Sequence, residues 1–137
     1  MVTLGSVKAQ LIASPDTQVE ALIIRTTPNT ATKPEQTYSG NNPTYLEASL
    51  CAWLKEQGVK HLLIDLPSVD AEEDGGALAA HHAFWNYPEA PRLDATITEM
   101  AYIPDTIENG TYLLNLQIAS IESDASPSKP VLYKILT

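Results

Sequence analysis

The strongest constraint on this chain is an apolar strand, a helix with start and stop signals, and a second apolar strand in succession. Val19–Thr26 carries Ala21, Leu22, Ile23 and Ile24 without interruption, the pattern of a strand covered on both faces. Thr44-Tyr45-Leu46-Glu47 fits a capping box, in which hydroxyl and carboxylate each satisfy a free backbone N–H. Leu46, Leu50, Trp53 and Leu54 follow as a helical apolar stripe, and Gly58 is its natural stop. His61–Leu66 is the second strand, with Asp65 near its C-terminal end. Strand, helix, strand predicts an α/β fold, a mixed sheet with flanking helices.

The 137 residues suit a single domain spanning 1–137, long enough to bury a core without staples. At 44% apolar and 18% charged, the composition excludes general disorder. Around the central unit the pattern predicts a short strand over Lys8–Ile12, a turn at Ser14-Pro15-Asp16 and a long polar loop over Thr27–Pro43. It then predicts a helix over Ala77–Trp85, two strands (Ala95–Ile103 and Thr111–Ile121) joined at Asn109-Gly110, a turn region over Asp124–Pro130 and a closing strand, Val131–Leu136.

A formal net charge of −9 without a Lys/Arg cluster argues against a nucleic-acid partner. No apolar run reaches the length of a membrane span, and the first residues lack a secretion signal, so a cytoplasmic location is expected. The single cysteine, Cys51, sits in the predicted helix and reads as a buried thiol rather than a nucleophile. Asp70, Glu72, Glu73 and Asp74 read as a solvated acidic turn closed by Gly75-Gly76.

Three residues carry the chemical interest. Alternation along Ala95–Ile103 puts Glu99 on the same face as Ala95, Ile97, Ala101 and Ile103. A carboxylate there needs a cation, a metal or a donor beside it, unless that face is open to water; pattern leaves both readings standing. His81 and His82 are adjacent on the short helix and point in different directions, so at most one enters a given site. His61 reads as surface. Imidazole and carboxylate together suit zinc, manganese or iron, with zinc or manganese the expected cofactor, but two ligands do not hold a catalytic ion. HExxH, paired CxxC, G-x-S-x-G and Walker patterns are all missing from the sequence.

Several segments resemble the cyclase and kynurenine formamidase family. Gly58-Val59-Lys60-His61-Leu62-Leu63-Ile64-Asp65-Leu66-Pro67-Ser68-Val69-Asp70 is similar to its G-(hydrophobic)-D-x-P-S-x-D region. Ala21–Thr26 resembles the strand that ends in Arg-Thr, and Tyr38-Ser39-Gly40 and the helix Tyr45–Gln57 fall in the expected places. Ala80-His81 resembles the late ligand histidine, Glu99 the late ligand glutamate, and Asp124-Ala125-Ser126-Pro127 with Val131-Leu132 the closing turn and strand. The resemblance runs from about residue 19 to the end. It implies a partial swivelling β/β/α domain, a divalent metal, hydrolysis of amide or formamide bonds, and His81 and Glu99 as metal ligands. The family's H-x-G-T-H-x-D-x-P-x-H signature has no counterpart here, so the expectation is a truncated homologue, incomplete as an enzyme alone. Its alternative is a non-catalytic oligomeric or ligand-binding α/β domain of the same descent. Either way a homo-oligomer, or a complementary chain over the exposed half-domain surface, is expected.

Overall fold

Parallel pairing decides which apolar strand becomes central. A computed structural model describes residues 1–11 and 19–135, which form two compact units, Met1–Pro104 and Asp105 onward. The first unit contains, in order, α1 (Leu4–Gln10), β1 (Ala21–Ile24), α2 (Ala48–Glu56), β2 (His61–Ile64), α3 (Ala79–Trp85) and β3 (Thr96–Thr98). Its sheet is parallel throughout, in the order β1-β2-β3. Leu62 of β2 lies between Leu22 and Ile97 in register. The strand covered on both faces is therefore β2, where Leu62, Leu63 and Ile64 are buried. β1, expected to be that strand, is shorter than Val19–Thr26 and only half-buried, because it pairs on one side alone.

Leu62 and Ile64 face a core built with Leu50, Cys51 and Leu54 of α2 and Ala80 and Phe84 of α3; Leu22, Ile24 and Ile97 pack against it. α2 ends as its sequence predicts. Gly58 adopts φ +79°, its N–H donates to Lys55 O, and the Val59 N–H donates to Leu54 O. These two bonds make a Schellman motif, with Leu54 and Val59 both buried.

The start of α2 differs from the sequence reading. Glu47, not Thr44, is its N-cap residue, without a side-chain capping bond. Val2 bridges Leu46 in parallel: the Val2 N–H donates to Tyr45 O and the Glu47 N–H to Val2 O. That bridge holds residues 45–47 extended. The Glu47 carboxylate instead accepts the Leu4 N–H at 2.9 Å, at the start of α1. The strand expected over Lys8–Ile12 is not formed, because Lys8–Gln10 belong to α1. Thr3 and Ser6 cap that helix reciprocally: each side-chain oxygen accepts the other's backbone N–H, at 3.2 and 3.1 Å. Ile12 and Ser14-Pro15-Asp16 lie outside the described residues.

The second unit is an antiparallel pair, β4 (Tyr112–Ile118) and β5 (Ser128–Lys134), with Tyr112 opposite Lys134 and Leu114 opposite Leu132. The strand containing Thr96–Thr98 therefore does not pair with β4 through Asn109-Gly110; it extends the parallel sheet instead. β5 begins within the expected turn, at Ser128, and Leu136 lies outside the described residues. Parallel and antiparallel pairings occur in separate sheets, and the whole has an α/β fold. Among the described residues no helix is long and apolar enough to cross a membrane.

Candidate functional site

Polar side chains gather where the parallel strands end, the usual place for a site in open α/β sheets. Thr26 follows β1, Asp65 follows β2 and Glu99 follows β3. Glu99 lies two residues beyond Ile97, which packs on the core beneath α3. Alternation therefore points the Glu99 carboxylate toward α3, and its side chain stays 30% exposed.

There it meets His81. Glu99 Oε1 accepts the Val69 N–H at 2.9 Å and lies 3.5 Å from His81 Nε2. The other ring nitrogen, Nδ1, is 2.6 Å from Asp70 Oδ2. Asp70 is buried, and it also accepts the backbone N–H groups of Ala80 (2.6 Å) and His81 (3.2 Å). Asp70 thus departs from the reading of a solvated acidic turn, since the first turn of α3 closes over it. Its neighbours have separate roles. Asp74 accepts the N–H groups of Gly76 and Leu78, and Glu72 those of Gly40 and Asn42. These bonds hold Asp74 below the usual carboxylate range, Leu78 contributing most and Gly76 next.

His82 contacts Tyr87, with ring centroids 4.8 Å apart. His61, expected at the surface, is part-buried and pairs through Nδ1 with Thr96 Oγ1 at 2.9 Å. Cys51 is fully buried. Desolvation, and after it the charge of Asp70, pushes its thiol up to about 12.

A second cluster escaped the sequence reading. Lys33 Nζ lies 2.7 Å from Asp65 Oδ2 and also donates to Thr26 O and Oγ1. Asp65 in turn accepts the Thr26 N–H and hydroxyl. Lys33, Pro34, Tyr38, Asp65, Met100 and Tyr102 line a small cleft of about 70 Å³. Burial, and then the charge of Asp65, raises the Tyr38 phenol above its usual value. Asp65 and Thr26 stood in segments that carry the family resemblance; for Lys33 and Tyr38 the signal in the sequence was the length of the Thr27–Pro43 loop.

Whether these groups suit a divalent metal can be judged from the donor set. Two atoms about 2.1 Å from a zinc ion at tetrahedral angles stand about 3.4 Å apart, close to the 3.5 Å between Nε2 and Oε1. An imidazole whose far nitrogen is held by a carboxylate is the usual form of a metal-ligating histidine. Among the described residues no group of three or more His, Cys, Asp or Glu side chains is placed to hold an ion. His81 and Glu99 therefore fit as two members of a larger donor set.

Comparison with known proteins gives the relationships of the chain. A sequence model of the family described as "Putative cyclase" matches residues 2–71. That stretch includes Asp65 and Asp70 and ends before His81 and Glu99. Kynurenine formamidase of Bacillus mycoides (strain KBAB4) is 30% identical over 91 residues, 66% of this chain and 40% of that protein. Kynurenine formamidase of Bordetella avium (strain 197N) is 34% identical over 84 residues, 61% and 36% of the two chains. The chain spans about two fifths of the length of these curated relatives.

Proposed function

The chain belongs to the cyclase family, and on that premise we propose that it forms part of a metal-dependent hydrolase of amide or formamide bonds. In this reading His81 and Glu99 are two ligands of a divalent ion, zinc or manganese. The observation that carries it is the approach of His81 Nε2 to Glu99 Oε1, 3.5 Å apart at the C-terminal ends of the strands. When bound, such an ion activates water and polarises a carbonyl. The chain's own contribution is orientation. Val69 fixes Glu99 through its backbone N–H, and Asp70 fixes His81 through Nδ1.

Two protein ligands do not complete a catalytic centre. The remaining donors come, in this reading, from a second copy or from a complementary chain carrying the histidine-rich signature. The antiparallel pair supports such a partner: Leu113 and Tyr133 stand opposite each other, 64% and 51% exposed. Protein that sedimented strictly as a monomer at micromolar concentration would remove the second copy from the scheme.

The test is metal analysis of the purified chain, together with formamide hydrolysis assayed with and without a fragment bearing that signature. Metal and activity should both fall in His81→Ala and in Glu99→Gln. Wild-type metal content in both variants would end the reading. The non-catalytic alternative would then take its place.

A further inference from the structure

Asp70 holds His81 by three bonds, to the Ala80 N–H, the His81 N–H and the ring Nδ1, and the last of these decides more than orientation. We propose that Asp70 is a positioning residue: it sets the tautomer of His81, so that the lone pair of Nε2, and not an N–H, faces Glu99.

The chemistry follows from donors and acceptors. Asp70 Oδ1 accepts the Ala80 N–H at 2.6 Å, and Oδ2 accepts the His81 N–H at 3.2 Å. An ionised carboxylate only accepts, so at 2.6 Å from Oδ2 the proton belongs on His81 Nδ1. The neutral ring then has its lone pair on Nε2. That lone pair faces the carboxylate of Glu99 at 3.5 Å. Two acceptors turned toward each other repel unless a cation lies between them, so the tautomer makes the pair a cation-receiving one. The other tautomer would place an N–H toward Glu99 and close the pair with a hydrogen bond. Trp85, whose ring centroid is 5.0 Å from that of His81, limits rotation of the imidazole by its bulk.

The position of Asp70 is well fixed. It is 7% exposed, its N–H donates to Ser68 Oγ, and both its oxygens engage α3. One residue therefore docks the helix that carries the histidine and chooses which nitrogen of that histidine is available. This inference rests on the metal reading only for its purpose; the tautomer is a property of the chain itself.

The deciding measurement is the ¹⁵N spectrum of the three histidine rings in ¹⁵N-histidine-labelled protein at pH 8, with His81 assigned from His81→Gln. The expected result is an Nδ1-protonated ring at His81. In Asp70→Asn the ring should shift toward the Nε2-protonated form common in free imidazole. A wild-type ring protonated on Nε2, or on both nitrogens at pH 8, would overturn the proposal, and so would an unchanged tautomer in folded Asp70→Asn. The wild-type spectrum decides even if Asp70→Asn fails to fold. A second readout is Zn²⁺ titration by calorimetry, where Asp70→Asn should bind about 10–100-fold more weakly. Equal affinity in folded Asp70→Asn would also overturn it. If the wild-type chain bound no ion while His81 showed the Nδ1 tautomer, the metal reading would fail and the role of Asp70 would stand.

Discussion

Lys33 and Asp65 form a buried ion pair, Nζ to Oδ2 at 2.7 Å, with side chains 7% and 0% exposed. The pair joins the loop after β1 to the end of β2, two segments far apart in sequence. Every polar atom the pair reaches belongs to a strand end or to this loop. It therefore ties the loop to the C-terminal ends of β1 and β2.

Removing one partner of such a pair leaves the other charge buried, which costs about 3–5 kcal/mol. Lys33→Met keeps the aliphatic stem and deletes the charge. Its unfolding free energy in urea should fall by about that amount, with Asp65 left to Thr26 alone. A loss below about 1 kcal/mol, the range of exposed pairs, would show that the contact does not hold the loop.

The second prediction concerns acid. The Leu4 N–H, and after it the Ser49 hydroxyl, holds the Glu47 carboxyl below its ordinary 4.5. A group lowered in the folded state stabilises the fold above its unfolded value and loses that contribution as pH falls through the folded one. Thermal midpoints of wild type and Glu47→Gln should thus differ most near pH 6. The gap should close as pH drops below 4.5 toward the lowered folded value. A gap that did not change between pH 6 and pH 3 would refute the Leu4 contact.

The third prediction concerns Cys51. With its thiol pushed up to about 12, almost no thiolate exists at pH 8, and thiolate is the reacting form. Iodoacetamide should leave Cys51 unmodified in folded protein and alkylate it in urea. Alkylation of the native protein at the rate of a free thiol would show that α2 opens or that the core around Leu50 and Phe84 is looser than described.

What could be read in the sequence was local. Ala21–Ile24, the stripe Leu50, Trp53 and Leu54, and the stop at Gly58 state their own conformations, and the parallel unit follows from them. Each departure has a distant partner. The capping box at Thr44 lost to the bridge between Val2 and Leu46. β3 joined β2 because Thr96–Thr98 meet His61–Leu63 in register, which a turn signal at Asn109-Gly110 cannot reveal. At the site, His81 and Glu99 were visible as residue types. Asp70 was hidden in a run of acids whose members differ only in what folds over them. Nothing local marks Lys33 within its polar loop, because its partner Asp65 lies 32 residues on.

The last prediction concerns strain next to Glu99. Met100 holds φ +57° while the residue is 56% exposed. A left-handed conformation costs an L-residue about 1–2 kcal/mol, and burial of this side chain returns little of it. The Met100 N–H donates to Leu66 O at 2.8 Å, and that bond together with Ala101 N–H to Ile64 O fixes the turn. Glycine adopts this φ without the Cβ clash but loses about 0.5–1 kcal/mol in chain entropy. Met100→Gly should therefore stabilise the fold by about 0.5–1 kcal/mol, read as a higher urea midpoint at an unchanged denaturant slope. A lower midpoint would mean that the Met100 side chain, on the cleft of Lys33, Tyr38 and Tyr102, contributes more than its exposure suggests. Strain of this kind is retained where a site needs the chain to turn sharply. The same variant should keep the Nδ1 tautomer of His81, since the backbone bonds of Met100 run to Leu66 and Tyr102 and not to Asp70 or α3.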